Sequence, residues 1–148
     1  MSAALPVDAG RLPLETIRVL VCDDSPTYVA ALRRLLEHEP EIQVVAVCPT
    51  AESAIAAIED VRPDLVTMDV ELPGMSGVDA VEAIMRIHPV PILVLSSQAR
   101  AGGKTAQAAY AAGAMATIAK DDLELRDPDG TAAAALRRRV RTLAAQLP

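Results

Sequence analysis

The stretch DLVTMDVELPG, residues 64–74, decides the fold. Its mostly apolar residues 65–68 lead directly into Asp69, and Glu71 and a Leu-Pro-Gly turn follow at once. A short continuous apolar run that ends in a turn is typical of a strand buried on both faces of a parallel sheet. Because a charged side chain at the end of a buried strand needs a partner, Asp69 is a candidate functional residue.

Apolar runs of the same kind recur along the chain and alternate with helical patterns. We predict strands at 17–22, 42–48, 64–68, 91–96 and 116–119. Helical spacing of apolar residues predicts a first helix through Leu32, Leu35 and Leu36, and further helices at 51–59, 78–87, 105–112 and 131–146. Strands that alternate with helices form a parallel sheet covered on both faces. The predicted fold is therefore α/β, with a single doubly wound five-stranded parallel sheet.

The length of the chain, 148 residues, suits one domain. Residues 1–16, with two prolines and a glycine, are predicted to be a flexible leader, and 17–148 to be one domain with no output domain after it. No apolar run approaches the roughly 20 residues that span a membrane. The first residues also lack the basic and apolar regions of a signal peptide. We therefore predict a cytoplasmic protein that does not bind membranes.

The composition disfavours nucleic acid as a partner. The net charge is −6, and the chain has no Phe, no Trp and only two Tyr. It thus offers neither a cationic field for phosphate backbones nor an aromatic platform for bases. The basic run RRRVR, 137–141, is predicted to be an exposed face of the last helix. Cys22 and Cys48 lie in apolar runs, so we interpret them as buried thiols in a reducing compartment.

Polar side chains follow four of the five predicted strands. They are Asp23 and Asp24, then Asp69, Ser96 and Lys120. Because the carboxyl ends of parallel strands form the binding crevice of such a sheet, these residues are predicted to lie together. Glu71 and Gln98 flank this site by position and are candidates for tuning its reactivity. Ser25 and Pro26 are interpreted as the cap and first residue of the first helix.

This set of residues suits phosphoryl chemistry. Three neighbouring carboxylates would repel one another unless a cation lay among them, and hard oxygen ligands suit Mg²⁺. A metal ion, an ammonium at Lys120 and a hydroxyl at Ser96 would neutralise the oxygens of a transferring phosphoryl group. With no Cys or His in the set, the nucleophile would be a carboxylate, and Asp69 is the candidate.

Four motifs carry a family resemblance. VLVCDDS (19–25), DLVTMDVELPGMSG (64–77), PILVLSS (91–97) and AGAMATIAK (112–120) resemble the signatures of a response-regulator receiver domain over about residues 17–146. EAIMRIHPVPILVLSS (82–97) resembles in particular the receiver half of the chemotaxis protein-glutamate methylesterases. The chain has no Gly-x-Ser-x-Gly elbow, so the methylesterase half is absent from it. The chain is thus a standalone receiver or an excised regulatory half.

The resemblance implies a flavodoxin-like sheet of strand order 2-1-3-4-5 and a phosphoacceptor at Asp69. It implies a Mg²⁺ ion held by Asp23, Asp24, Asp69 and the backbone carbonyl of Glu71. Ser96 and Lys120 would contact the phosphoryl group, and a histidine kinase would donate it. The signal would pass to an unknown downstream protein or to a homodimer through the last strand and helix. Beyond its own phosphorylation and dephosphorylation, no enzymatic activity is expected.

Three residues depart from the family pattern. Thr117 stands at the switch position, where an aromatic residue is usual, so readout through an aromatic rotamer is in doubt. Asp121 follows Lys120 where proline is usual. A cis peptide there would cost roughly 2.5–4 kcal/mol, so we expect a trans peptide or an altered loop. Val29 replaces an arginine that the family often has four residues into the first helix.

Two other functions fit parts of the pattern. A Mg²⁺-dependent phosphatase with an aspartyl nucleophile normally has a general-acid Asp two residues after it, where this chain has Glu71, and a cap for which the chain has no room. A receiver fold that is never phosphorylated is disfavoured by the intact set of Asp23, Asp24, Asp69, Ser96 and Lys120.

Overall fold

The computed structural model describes residues 16–97 and 103–146. Its five parallel strands form one sheet in the order β2-β1-β3-β4-β5, as predicted. The strands are β1 (Ile17–Cys22), β2 (Ile42–Cys48), β3 (Leu65–Asp69), β4 (Ile92–Ser96) and β5 (Ala116–Ala119). The helices are α1 (Pro26–Glu37), α2 (Ala51–Val61), α3 (Gly77–Ile87), α4 (Lys104–Ala112) and α5 (Thr131–Ala144). A short 3₁₀ helix, Lys120–Leu123, follows β5 directly.

The predicted elements all exist, and only their ends differ. The third strand lies one residue later than predicted. Its pairing with β1 begins at Leu65, because the side chain of Asp64, and not its backbone, accepts the N–H of Arg18. This hydrogen bond to the carboxylate is 2.9 Å long. Asp69 is consequently the last residue of β3, where it pairs with Leu95 of β4. The fourth strand begins one residue later than predicted, α2 continues to Val61, and α5 ends at Ala144.

The apolar core has two layers, one on each face of the sheet. Successive side chains of a strand point to opposite faces. Accordingly Val19 and Val21 belong to the cluster under α1 and α5, whereas Leu20 and Cys22 belong to the cluster under α2 and α3. Both layers consist mainly of aliphatic side chains, which agrees with a chain that has no Phe or Trp. The predicted cover of helices on both faces of the sheet is thus confirmed. The central strands β3 and β4 are fully buried, whereas the edge strands β2 and β5 are only partly buried.

Side-chain caps start α1 and α2 close to the ends of the preceding strands. The hydroxyl oxygen of Ser25 accepts from the N–H of Tyr28 at 3.2 Å, and Pro26 occupies the first turn, as predicted. Thr50 and Ser53 form a capping box at α2. Such caps satisfy N–H groups that have no partner within the helix. The turns from β1 to α1 and from β2 to α2 therefore stay short at the carboxyl edge of the sheet.

Gly77 allows α3 to begin against the end of β3. A Cβ atom at this position would lie 2.2 Å from the backbone oxygen of Asp69 and 2.4 Å from the Cα of Val70. No side chain fits at such distances, because carbon and oxygen contacts are normally above 3 Å. The N–H of Gly77 donates to the carbonyl of Val70 at 3.2 Å, which closes the turn. The absence of a side chain at Gly77 therefore allows the start of α3 to pack directly against the backbone of Asp69.

The prediction that residues 137–141 form an exposed face is wrong at Arg137. The residue is 8% exposed, and its Nη1 donates to the carbonyl oxygens of Leu35 at 3.0 Å and Pro128 at 3.1 Å. Arg137 lies on the buried face of α5 because it falls between Ala133 and Val140 at helical spacing. It therefore ties α5 to the end of α1, and the rest of the run is exposed except Val140.

Cys22 and Cys48 are free, buried thiols, in agreement with the prediction. Burial, followed by the nearby Cys48 and the carboxylates, raises the pKa of the Cys22 thiol to about 12. Its Sγ donates to the carbonyl of Thr50 at 3.4 Å. A thiol with such a raised pKa is protonated and unreactive at neutral pH.

In the described ranges no helix is long and apolar enough to cross a membrane.

Candidate functional site

Three carboxylates meet at the carboxyl ends of β1 and β3. Asp23 and Asp24 follow β1, and Asp69 ends β3, which is the neighbour of β1 in the sheet. One oxygen of each carboxylate lies within 4.8 Å of the others. Asp23 and Asp69 are each 3% exposed, whereas Asp24 is exposed. The structure thus brings together the three acids that the strand-end pattern predicted.

Backbone N–H groups orient the two buried acids. Oδ1 of Asp23 accepts from the N–H of Ser25, and Oδ1 of Asp69 accepts from the N–H of Glu71, both at 2.9 Å. In each case a carboxylate bonds to the chain two residues later, which is the geometry of an Asx turn. One oxygen of each acid is therefore fixed by its own turn.

Lys120 meets the remaining oxygens of both buried acids. Its Nζ lies 3.2 Å from Oδ2 of Asp69 and 3.3 Å from Oδ2 of Asp23, and its side chain is 17% exposed. Burial acts to lower the pKa of Lys120, but the charges and hydrogen bonds of Asp23 and Asp69 outweigh it, and the pKa is raised. The ammonium is therefore held in its charged form between the two acids.

The pKa of Asp69 is also raised, but for a different reason from that of Lys120. Burial raises the pKa of Asp69 above its ordinary value, although the N–H of Glu71 and the ammonium of Lys120 act to lower it. The raised pKa of Asp69 is consistent with the raised pKa of Lys120, because three carboxylates share one ammonium. The ammonium is stabilised by several negative charges, whereas each carboxylate has only part of one positive charge. The site has an excess of negative charge, and its ligand atoms are the hard oxygens that Mg²⁺ prefers. Asp23, Asp24 and Asp69 therefore fit a divalent cation.

Ser96 and Glu71 are joined beside Asp69. Ser96 ends β4 and is fully buried, and its hydroxyl donates to Oε2 of Glu71 at 3.0 Å. The hydroxyl of Ser97 donates to the same oxygen at 2.9 Å. The side chain of Glu71 therefore lies at the edge of the site, where its position in the sequence predicted it. The other tuning candidate, Gln98, lies outside the described residues.

Tyr28 is part of the site and was missed by the sequence analysis. The centre of its ring lies 4.3 Å from Nζ of Lys120, within the range of a cation–π contact. Its hydroxyl is buried and finds no hydrogen-bond partner in the described part of the chain. Burial and the nearby Asp23, Asp69 and Asp121 raise the pKa of the phenol, which stays neutral. The available signal was its place in the first helical turn after the acid pair.

Thr117 borders a cavity rather than filling it. The cavity has a volume of about 780 Å³ and lies between β5, α4 and α5, with Tyr110, Thr117, Ala135 and Arg139 among its lining residues. Within the described ranges no peptide bond is cis, so the Lys120–Asp121 bond is trans, as one of the two expected forms. The small side chain of Thr117 leaves open the space beside the last strand.

Comparisons with known proteins agree with the geometry. The sequence model of the response regulator receiver domain matches residues 19–127. The chain is 41% identical over 103 residues to a protein-glutamate methylesterase/protein-glutamine glutaminase of Agrobacterium fabrum, which covers 70% of this chain and 29% of that protein. A relative of the same description from Carboxydothermus hydrogenoformans is 39% identical over 118 residues, covering 80% of this chain and 31% of the relative. This chain thus spans less than a third of these relatives.

A solved structure extends the likeness to the fold. The response regulator domain of CheB from Thermotoga maritima superposes with a TM-score of 0.82 at 28% identity. The alignment covers 90% of this chain and the whole of that domain. The two chains therefore share their overall fold.

Proposed function

Because the chain belongs to the response regulator receiver domain family, we propose that it accepts a phosphoryl group on Asp69. The observation that carries the proposal is the contact of 3.2 Å between Oδ2 of Asp69 and the ammonium of Lys120, beside two further carboxylates. A buried carboxylate with one oxygen fixed and the other next to a cation is suited to attack on phosphorus.

The proposed step transfers a phosphoryl group from a phosphohistidine of a kinase. Oδ2 of Asp69 attacks the phosphorus, the phosphorus–nitrogen bond breaks, and the histidine leaves with the electron pair and takes up a proton. The product is an acyl phosphate on Asp69. The N–H of Glu71 holds Oδ1 during the attack, and the ammonium of Lys120 neutralises charge on the phosphoryl oxygens. The hydroxyl of Ser96, which donates to Oε2 of Glu71 in the structure, would turn to donate to one of those oxygens.

A divalent cation completes the proposed site. Asp23, Asp24 and Asp69, with the backbone carbonyl of Glu71, would hold Mg²⁺, which supplies charge neutralisation for the transferring group. The close approach of the three carboxylates supports this assignment. The residues themselves orient the nucleophile, keep Asp69 away from bulk water and supply the ammonium.

The output of the domain is a protein contact in this proposal. We infer that residues 17–148 are the receiver domain and that a cytoplasmic histidine kinase is the donor. The face formed by β5 and α5 would contact a downstream protein or a second copy of the chain. The methylesterase and glutaminase activities belong to the named relatives, of which this chain matches less than a third. The phosphatase alternative is not favoured, because the carboxylate of Glu71 accepts from Ser96 and Ser97.

Mass spectrometry tests the proposed function. The protein is incubated with Mg²⁺ and acetyl phosphate, and its intact mass is measured with and without hydroxylamine. We expect one added phosphate that hydroxylamine removes, that EDTA prevents and that is absent from Asp69→Asn. Asp79→Asn, which changes an exposed acid of α3, is the matched control and should be phosphorylated normally. An unmodified wild-type protein, or an adduct that persists in Asp69→Asn, would contradict the proposal.

A further inference from the structure

The ring of Tyr28 covers one side of the Lys120 ammonium, at 4.3 Å from its centre. We propose that Tyr28 is a positioning residue, whose aromatic face holds Lys120 at the phosphoacceptor. This inference rests on the proposed function for its effect on phosphoryl transfer. The stacking itself is a property of the unphosphorylated protein and is tested separately.

Lys120 needs such a constraint because its side chain is long and reaches across the sheet. It follows β5, which is separated from β3 by β4, and its Nζ contacts Asp69 and Asp23 at 3.2 and 3.3 Å. A four-carbon stem has several rotatable bonds, and ordering it costs conformational entropy. Two acids and one ring together enclose the ammonium, and the side chain is 17% exposed.

Tyr28 is itself well anchored. Its N–H donates to the hydroxyl oxygen of Ser25, which caps α1, and its ring packs against the apolar cluster under α1 and α5. The same short segment carries Asp23, whose Oδ1 is bonded to the N–H of Ser25. The acid and the ring that contact Lys120 are therefore held by one turn, and their separation is set by the backbone.

The ring, and not the hydroxyl, accounts for the contact. The hydroxyl is buried with no partner in the described ranges, and a buried unpaired hydroxyl is unfavourable. A cation over an aromatic face is attracted by the ring, and more strongly when both groups are desolvated. Phenylalanine at this position would keep the favourable contact and lose the unfavourable one. Tyr28→Phe is therefore the conservative variant that should preserve the positioning.

Without the ring, the ammonium of Lys120 could turn toward solvent on its open side. The phosphoryl oxygens would then lose part of the neutralising charge in the transition state. A contact of about 0.5–2 kcal/mol corresponds to a rate change of about 2- to 30-fold. We expect a loss of this size in the phosphorylation rate constant of Tyr28→Leu, and of Tyr28→Met, whose flexible side chain preserves packing better.

Two measurements test the inference on the wild type and these three variants. The first is the NMR shift of the Lys120 Hε protons in the unphosphorylated, Mg²⁺-free protein, because protons over a ring face move upfield. The second is the rate of adduct formation with acetyl phosphate. We expect wild type and Tyr28→Phe to share the upfield shift and the rate. Tyr28→Leu and Tyr28→Met should lose both, while Tyr110→Leu, at the half-exposed tyrosine of α4, should change neither.

Three results would overturn the inference. If the Hε protons of Lys120 in the wild type show no upfield shift, the stacking on Tyr28 is contradicted. Undiminished rates in both Tyr28→Leu and Tyr28→Met would remove its role in transfer, as would a loss in Tyr28→Phe that equals theirs. A wild type with the upfield shift and no adduct would refute the proposed function, and the positioning role with it, while the stacking remained. Circular dichroism of each variant shows that a lost signal does not come from unfolding.

Discussion

The hydroxyl of Ser96 donates to Oε2 of Glu71 at 3.0 Å, so the end of β4 is joined to the turn after β3 directly beside Asp69. Ser97 donates to the same oxygen, and Glu71 thus holds two adjacent hydroxyls. In the proposed reaction the phosphoryl group needs the hydroxyl of Ser96. Glu71 and the incoming group therefore compete for one donor.

Glu71→Ala is expected to speed phosphorylation by acetyl phosphate. The change removes a competing acceptor and a negative charge near the path of an anionic donor. One unit charge at a few ångströms near a protein surface is worth about 1 kcal/mol or more, so we expect a rise of about fivefold. The rate of adduct formation at low and high salt measures this, and the gain should shrink with salt.

Glu71→Gln separates the two causes, because it keeps an acceptor and removes the charge. An intermediate rate would mean that both contribute. Glu82→Ala, at an exposed residue of α3, is the control and should leave the rate unchanged. A slower reaction in Glu71→Ala would contradict competition for Ser96.

Asp69→Asn is expected to stabilise the fold at neutral pH. Since burial raises the pKa of Asp69 in the folded state, the folded protein favours the protonated carboxyl, and that contribution is lost as pH rises through the folded-state pKa. At neutral pH the wild type carries the cost of a buried carboxylate that the amide avoids. We expect a gain of roughly 1 kcal/mol, or about 3 °C in Tm for a domain of this size.

The pH dependence distinguishes this cause from a simple packing effect. The gain should fall as pH decreases and disappear below 3.8, the ordinary pKa of this carboxyl, because Asp69 is then protonated in both the folded and the unfolded state. Thermal unfolding of both proteins in Mg²⁺-free buffer across this range measures it. Asp60→Asn, an exposed acid of α2, should show no such change. A gain that is independent of pH would refute the electrostatic explanation.

Gly77→Ala is expected to destabilise the protein and to impair Asp69 together. The new Cβ would lie 2.2 Å from the backbone oxygen of Asp69, so β3 or α3 must shift. Overpacking of this kind typically costs about 1–3 kcal/mol. The free energy of unfolding, measured in urea, and the phosphorylation rate constant should both fall.

Gly74→Ala provides the contrast for that prediction. Gly74 has a φ of +77°, so alanine is strained there by about 1–2 kcal/mol, but its Cβ would meet only Oε2 of Glu52 at 3.8 Å. It should lose stability and keep a larger fraction of its phosphorylation rate. Equal rates in the two variants would show that the contact with Asp69 has no consequence for the site.

Arg137→Met is expected to cost about 2–3 kcal/mol of unfolding free energy. The change leaves the carbonyl oxygens of Leu35 and Pro128 without this donor, and an unpaired buried group costs about 1–3 kcal/mol. Arg137→Lys should restore only part of the loss, because one ammonium cannot reproduce the guanidinium geometry. Arg138→Met, on the exposed face of α5, should stay within about 0.5 kcal/mol of wild type in urea unfolding.

Sequence patterns predicted the sheet and the acids of the site, for identifiable reasons. Buried parallel strands have continuous apolar runs, and their carboxyl ends lie at one edge. Asp23, Asp69 and Lys120 could therefore be brought together before any coordinates were known. Their proposed roles in phosphoryl transfer stay predictions that the experiments above test.

The contacts of Tyr28 and Arg137 could not be obtained in the same way. Both depend on which face of a helix meets a distant segment, as Arg137 meets α1 from α5. The helical spacing of Ala133, Leu136 and Val140 did place Arg137 on the buried face. Charge alone suggested solvent instead, and the spacing was the better guide.

The burial of Tyr28 has an optical consequence. The chain has no Trp, so its ultraviolet emission comes from Tyr28 and Tyr110 alone. Tyr110 is half exposed on α4, and Tyr28 lies over the ammonium that the acids hold. A Tyr110→Leu protein would then have a single natural fluorophore, located beside the proposed phosphoacceptor. Cation entry and phosphoryl arrival would be visible in real time, without an attached dye.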